Sequence, residues 1–436
     1  MRLFDSRKQP LSDIARTLRR ETFALAKEVR QRVCEIINAV RQEGEAALLR
    51  FLRQLDTPLV TKRNLWVTEK EFRDAEGRVS ARVREALVLA AERVRAYHEA
   101  ELPRSWSIRD EYGSVMGQQI CPLRRVACAI PGVAAPLPSS VVMSVIPAKV
   151  AGVEEVYAFS APNRRTGAIR PEILFAAKLC GVGGMLRGGG APAVAAFAYG
   201  TESVSKVDKI AGPGNAYVVG AMREVYGDVG IAGLAGPSEV VVLADESASR
   251  YASWLAADLL AQAEHAPDSP AVLVSASASL LRAVRAELNK QLPRVGRRAY
   301  ARESLRRFGA LVRVQALEEG IELVNEFAPE HLQIVTEQAE AVAAQVRTAG
   351  AIFLGPYSAV AYGDYLAGPS HVLPTGGSAA FFGPLSVNDF VKRTGLVALS
   401  PEAARGLSKP AVALARSEGL TAHAAAVELR ASRTAG

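Results

Sequence analysis

Through VREALVLAAERVRAYHEAEL, apolar residues recur every three or four positions with arginine and glutamate between them. This period predicts an amphipathic helix, and a helical, scaffold-like region up to about Leu102. After Cys121 the pattern changes. Short apolar or β-branched runs (VACAIPG, EEVYAFSAP, KVDKIAGPGNAYV, SEVVVLADES, PAVLVSAS) alternate with Ala-rich helical stretches (PEILFAAKLCG, APAVAAFAYG, SWLAADLLAQAEH), bounded by Gly or Pro. Strand alternating with helix predicts a mainly parallel sheet. Between Arg125 and Lys149 there is no charged residue, which is long enough to imitate a membrane span. Pro131, Pro136, Pro138 and Pro147 would break such a helix repeatedly, so buried strand and loop are expected there. Beyond about Leu385 the pattern returns to a polar helical, Ala-rich tail.

Composition narrows the class. With 436 residues, 49% of them hydrophobic and 22% charged, the chain has material for a large core, and disorder or a coiled coil is excluded. The net charge of +8 is dispersed among acidic residues and aromatics are only 6%, so neither a nucleic-acid partner nor a membrane is expected. Cys34, Cys121, Cys128 and Cys180 show no C-x-x-C spacing, which argues against a disulfide framework or a thiolate zinc site and for a reducing, cytoplasmic setting. The first residues lack the apolar core of a signal peptide.

Histidine is scarce, so each of the five can be weighed. His98 sits on the scaffold helix. Gln262 and His265 are three apart near the end of a predicted helix and could share one metal, although a helix-end histidine bonded to a backbone carbonyl is the plainer reading. Glu330 and His331 are adjacent after Pro329, two proton carriers of different acidity at a loop junction; the bland alternative is a solvated surface pair. Asp364 and His371 lie in a loop rich in Gly and Pro that is costly to order unless it lines a site. Glu418 and His423 fall on the tail, where a solvated face is the default. Two glycine turns could let a ligand approach the backbone: Gly188 to Ala193, a loose G-x-G-x-x-A match of low specificity, and Gly212 to Tyr217.

Taken together, PLPSSVVMSVIPAKVAGV, AYGTES, VDKIAGPGNAYV, AGPSEVVVLAD, DLLAQAEH, APEHLQI, FLGPYSAVAYGDYLAGPSHVLPTGG and LTAH form an ordered set that resembles the histidinol dehydrogenase family over nearly the whole chain. The resemblance implies a zinc- and NAD-dependent enzyme that oxidises L-histidinol to L-histidine by two hydride transfers. It implies zinc ligands at Gln262, His265, Asp364 and His423. These four, with Ser238, His331, His371 and Glu418, would contact substrate, Glu330 and His331 would be the acid/base pair, and Asn215 would contact the cofactor. It further implies a homodimer in which the tail bearing Glu418 and His423 reaches the partner's site. Three positions depart from the family's pattern: Ala129 stands for a tyrosine and Pro192 for a glutamine that contact NAD, and Ala232 for an acidic residue. These departures leave open a paralogue acting on another amino alcohol or diol, or a zinc-binding homologue with impaired NAD use.

The fold expected is α/β, with two incomplete Rossmann-like domains built on mainly parallel sheets and helical segments at both ends. Residues 1–24 are expected as an N-terminal helical segment, 25–131 with 239–385 as the first α/β domain, 132–238 as the second, cofactor-side domain, and 386–436 as a helical, dimer-swapped tail.

Overall fold

The computed structural model describes residues 1–18, 27–133, 136–234 and 236–432. It divides into two compact units, Met1–Glu101 with Leu123–Phe390 and Leu102–Pro122 with Val391–Gly436.

The larger unit opens with strand β1 (Arg2–Asp5), and the smaller unit contributes β2 (Trp106–Arg109) and β3 (Val115–Pro122). The larger unit continues with β4 (Arg125–Ala129), β5 (Glu155–Ser160), β6 (Gly184–Arg187), β7 (Lys209–Ala211) and β8 (Gly230–Ile231). These five form one sheet, ordered β6-β5-β4-β7-β8, in which every pair is parallel. Next come β9 (Val240–Ala244), β10 (Ala271–Ser275), β11 (Ala310–Arg313), β12 (His331–Val335) and β13 (Ala351–Leu354). With β1 they build a second parallel sheet, ordered β1-β11-β10-β9-β12-β13.

Side-chain alternation explains why both faces of this second sheet are covered. Val240, Val242, Leu273 and Leu311 pack into one apolar cluster, whereas Val241, Leu243, Val272, Val274, Leu332 and Ile334 pack into another on the opposite face. The five-stranded sheet has its own core, to which the helices Lys27–Glu43 and Glu45–Leu55 bring Val33, Ile36, Leu48 and Leu52 against the Ala-rich helix Gly190–Tyr199.

The α/β class and the parallel sheets stand as expected, but several boundaries do not. Residues 1–24 are not wholly helical: β1 precedes the helix Leu11–Leu18, and 19–24 lie outside the described residues. A cut at 131/132 would separate β4 from its partners β5 and β7, and the helices over 27–55 serve the core of the five-stranded sheet, not that of 239–385. The uncharged stretch after β4 also contains a helix, Pro138–Val150. Pro138 takes its first position, where a missing N–H costs nothing, and Pro147 falls near its end. Among the described residues, no helix is long and apolar enough to cross a membrane.

The smaller unit is a three-stranded antiparallel sheet followed by helices. It is ordered β14-β3-β2, with β14 (Val391–Ala398) where the tail was expected to be helical, because Val391 to Ala398 finds an antiparallel partner in β3. Helices Pro401–Gly406, Ser408–Ser417 and Thr421–Ser432 complete it, and 433–436 lie outside the described residues.

Candidate active site

The chemistry-bearing residues of the larger unit gather at the amino ends of β9 and β12. Between these neighbours the strand order reverses, since β10 and β11 extend to one side of β9 and β12 and β13 to the other. His331 is the first residue of β12 and aligns with Val240 of β9, which brings Glu330 beside Glu239. The helix Ala252–Ala263 returns antiparallel after β9, so its last turn delivers Gln262 to the same edge. The helix stops at Ala263, and His265 lies in the following turn, not on the helix proper, with its N–H bonded to the Gln262 carbonyl at 3.2 Å.

Glu239, Glu330 and His331 are all nearly fully buried. The Glu239 N–H donates to Glu330 Oε2 at 2.7 Å, and His331 Nδ1 lies 2.9 Å from the Glu239 carbonyl and 3.3 Å from Glu330 Oε2. A carbonyl only accepts, so Nδ1 carries the proton and Nε2 is the ring nitrogen left for chemistry. Burial alone would lower the His331 pKa, but the Glu330 carboxylate, helped by Asp364 and the Glu239 carbonyl, raises it to about 9. Burial and the neighbouring Glu330 raise Glu239 as well, up to about 8, although Gly376 N–H still donates to it at 3.1 Å.

Around this pair stand the remaining candidates. Gln262 donates through Nε2 to Ser238 Oγ at 2.9 Å, and His265 Nε2 lies 3.9 Å from Asp364 Oδ2. His371 Nδ1 donates to the Asp364 carbonyl at 2.9 Å, and burial lowers its pKa, so the ring is neutral. His331 and His371 line a cavity of about 850 Å³ with Phe353, Tyr357 and Tyr362. The helix Ala81–Ala100, expected to be scaffold alone, lends Leu89, Arg93 and Tyr97 to the same wall. Its helical period gave no sign of this, because the three lie on its half-exposed flank. Glu418 and His423 belong to the smaller unit, where they line an open groove with Leu414 and Leu420.

The five-stranded sheet presents its opposite edge. The carboxyl ends of β4 and β7 flank its point of strand-order reversal, the usual place for a ligand in an open α/β sheet. Ala129 ends β4, and Gly212 (φ 100°) passes so close that an added Cβ would stand 2.5 Å from the Ala129 carbonyl oxygen. Asn215 caps the helix Ala216–Val225, its Oδ1 accepting from Tyr217 N–H at 3.0 Å and Val218 N–H at 3.2 Å. Pro192 lies in the first turn of Gly190–Tyr199, where backbone donors have no partner within the helix, so the substitution leaves the helix intact. In the glycine turn at its start, the Gly189 N–H already donates to half-buried Asp56 at 2.7 Å. An internal carboxylate therefore occupies a donor that the loose dinucleotide match would need for phosphate.

Comparison with known proteins settles the lineage. The family model of histidinol dehydrogenase matches residues 19–431. The chain belongs to the histidinol dehydrogenase family. It is 48% identical to histidinol dehydrogenase of Moorella thermoacetica over 93% of this chain and 95% of that protein, and 44% identical to the one of Bacillus subtilis over 96% of each. The crystal structure of histidinol dehydrogenase from Elizabethkingia anophelis superposes with a TM-score of 0.92 at 30% identity, covering 99% of this chain and 98% of that one. The family is one of oxidoreductases, and the fold matches it throughout.

Proposed function

We propose that the chain oxidises L-histidinol to L-histidine in histidine biosynthesis, with two NAD reduced per substrate. The observation that carries the reading is the buried Glu239–Glu330–His331 cluster, whose His331 lines the cavity. His331 has one nitrogen committed to a carbonyl and the other available, with a carboxylate beside it. With its pKa raised to about 9, His331 serves as general base for the alcohol proton in the first oxidation and for the hydrate proton in the second in its deprotonated form, so oxidation should quicken as pH rises toward 9. Each step breaks a C–H bond, sends its hydride to NAD and its O–H proton to His331. Between them, Glu330 activates the water that hydrates the aldehyde. Asn215 contacts the dinucleotide at the carboxyl edge of the five-stranded sheet.

The donor types suit a zinc ion and two of the four stand together, although among the described residues no three His, Cys, Asp or Glu side chains gather to hold a metal. The set is all oxygen and nitrogen, and the 3.9 Å between His265 Nε2 and Asp364 Oδ2 is close to the roughly 3–4 Å between two ligands on one zinc. Gln262, His265, Asp364 and His423 would hold it. When bound it supplies a Lewis-acid anchor for the substrate's amine and imidazole. Ser238, His371 and Glu418 then complete the substrate's contacts.

A homodimer belongs to the same reading, with Glu418 and His423 acting in the partner's site. Its support is the smaller unit's own surface, where Val397, Leu414 and Leu429 are 71%, 65% and 67% exposed. A cytoplasmic setting is supported by four free cysteines, of which burial pushes Cys128 and Cys180 up to about 12.

The test is NADH formation at 340 nm from zinc-loaded protein with L-histidinol. Two NADH per histidinol are expected; binding of zinc and histidinol without NADH would mean that the pocket serves another use. Mixing inactive His331→Ala and His423→Ala subunits tests the shared site. In a shared arrangement one site of the mixed dimer is wholly wild type and activity returns, whereas unshared sites stay dead.

A further inference from the structure

In an α-helix the carbonyl of residue i accepts from the N–H of residue i+4. For Met143, in the helix Pro138–Val150, that donor does not exist, because residue 147 is proline. A proline ring also crowds the carbonyl four residues before it and turns it outward. The open Met143 carbonyl accepts from Ser370 Oγ at 3.0 Å, and Ser370 in turn accepts from Val372 N–H at 3.2 Å. Three residues before Met143 on the same helix, fully buried Ser140 has its Oγ 3.1 Å from His371 Nε2. The other ring nitrogen, Nδ1, is 2.9 Å from the Asp364 carbonyl, which can only accept. Nδ1 therefore carries the proton, Nε2 is an acceptor, and the Ser140 hydroxyl donates to it.

We propose that Ser140 and Pro147 are positioning residues that dock the segment 370–371 on this helix at two points and hold His371 in a single tautomer at the cavity wall. Ser140 supplies the donor to Nε2. Pro147 keeps the Met143 carbonyl free for Ser370, a use of proline distinct from breaking a helix. A substrate entering the cavity then meets an imidazole whose orientation is set before binding, which lowers the ordering cost of recognition. The inference rests on the substrate reading of the cavity given above.

The test uses the full-length protein with labelled histidine, in which five side chains give separable ¹⁵N signals. Ser140→Ala is expected to move the His371 Nε2 signal toward that of an unbonded ring nitrogen, and Ser140→Thr to restore it. Pro147→Ala, which returns a competing N–H to Met143, is expected to loosen the same signal to a smaller degree. In turnover, the KM for L-histidinol should rise about tenfold in Ser140→Ala and about threefold in Pro147→Ala, with kcat and the KM for NAD changed less than about twofold. An unaltered His371 spectrum in both alanine variants overturns the proposal, as does a loss of kcat with KM unchanged. Absence of histidinol turnover in the wild type would sink the substrate reading alone, since the spectra decide the docking without it.

Discussion

The two parallel sheets of the larger unit put opposite edges to use. The five-stranded sheet follows the general rule of open α/β folds and offers the carboxyl ends of β4 and β7, with Ala129, Gly212 and Asn215. The six-stranded sheet offers the amino ends of β9 and β12, with Glu239, Glu330 and His331. Only the short connection after Ile231 separates the carboxyl end of β8 from the amino end of β9. A chain that leaves one sheet at its top enters the next at its bottom, so reactive groups gather where entering strands begin. The edges also differ in chemistry. The first is built from backbone, glycine and alanine and offers shape, while the second buries ionisable groups and perturbs their proton affinities.

The largest expected effect lies at the amino edge. His331→Ala should lower histidinol oxidation by on the order of 10² to 10⁴-fold while leaving the affinity for NAD, measured by fluorescence titration, unchanged. An equal loss of both would mean that the two edges are not functionally separate.

Next comes the pH dependence of stability. Glu239 is raised from 4.5 to about 8 in the folded protein, so the native state holds its proton more tightly than the unfolded chain does. Stability from this group is full below about 4.5 and is lost as pH rises toward 8. His331, raised from 6.5 to about 9, acts in the same direction at higher pH. Urea unfolding should therefore show the wild type losing a few kcal/mol between pH 5 and pH 8, and Glu239→Gln losing clearly less. Parallel slopes for the two proteins would refute a proton held on Glu239.

At the carboxyl edge the effects are smaller. Asn215→Ala removes a helix cap and should cost about 1 kcal/mol of stability, whereas Asn215→Asp keeps the capping oxygen and should cost less. Both should weaken NAD binding if the amide group contacts it; retention of full affinity by Asn215→Asp would place the dinucleotide elsewhere. Smallest of all, Pro192→Gln should lower the KM for NAD by about threefold without a change in helix content by circular dichroism.

The alternation of strand and helix after Cys121 was legible because parallel strands buried on both faces leave apolar runs that only Gly and Pro interrupt. The family motifs supplied the candidate residues, of which the structure places Gln262, His265, Glu330, His331, Asp364 and His371 near one edge of one sheet. What stayed hidden depends on tertiary partners. RLFD is too short and too charged to announce a strand, and becomes one because Ala310 to Arg313 pairs with it. Pro138 and Pro147 look like breakers until one is seen at the first helical position and the other near the helix end. Asp56 gives no local sign that it will fill the glycine turn at Gly189, 133 residues away in sequence. Leu89, Arg93 and Tyr97 follow a helical period that says which face is apolar but not what the flank will touch.

The pairing of β1 with β11 has a consequence for how the molecule is made. Residues 2–5 find their sheet partner in residues 310–313, roughly three hundred positions later. At about 5–20 residues per second of synthesis, β1 waits roughly 15 to 60 s for β11 with its backbone donors and acceptors open. The far side of the sheet that carries the reactive residues therefore forms only once β11 is made, and until then β1 is open to mispairing.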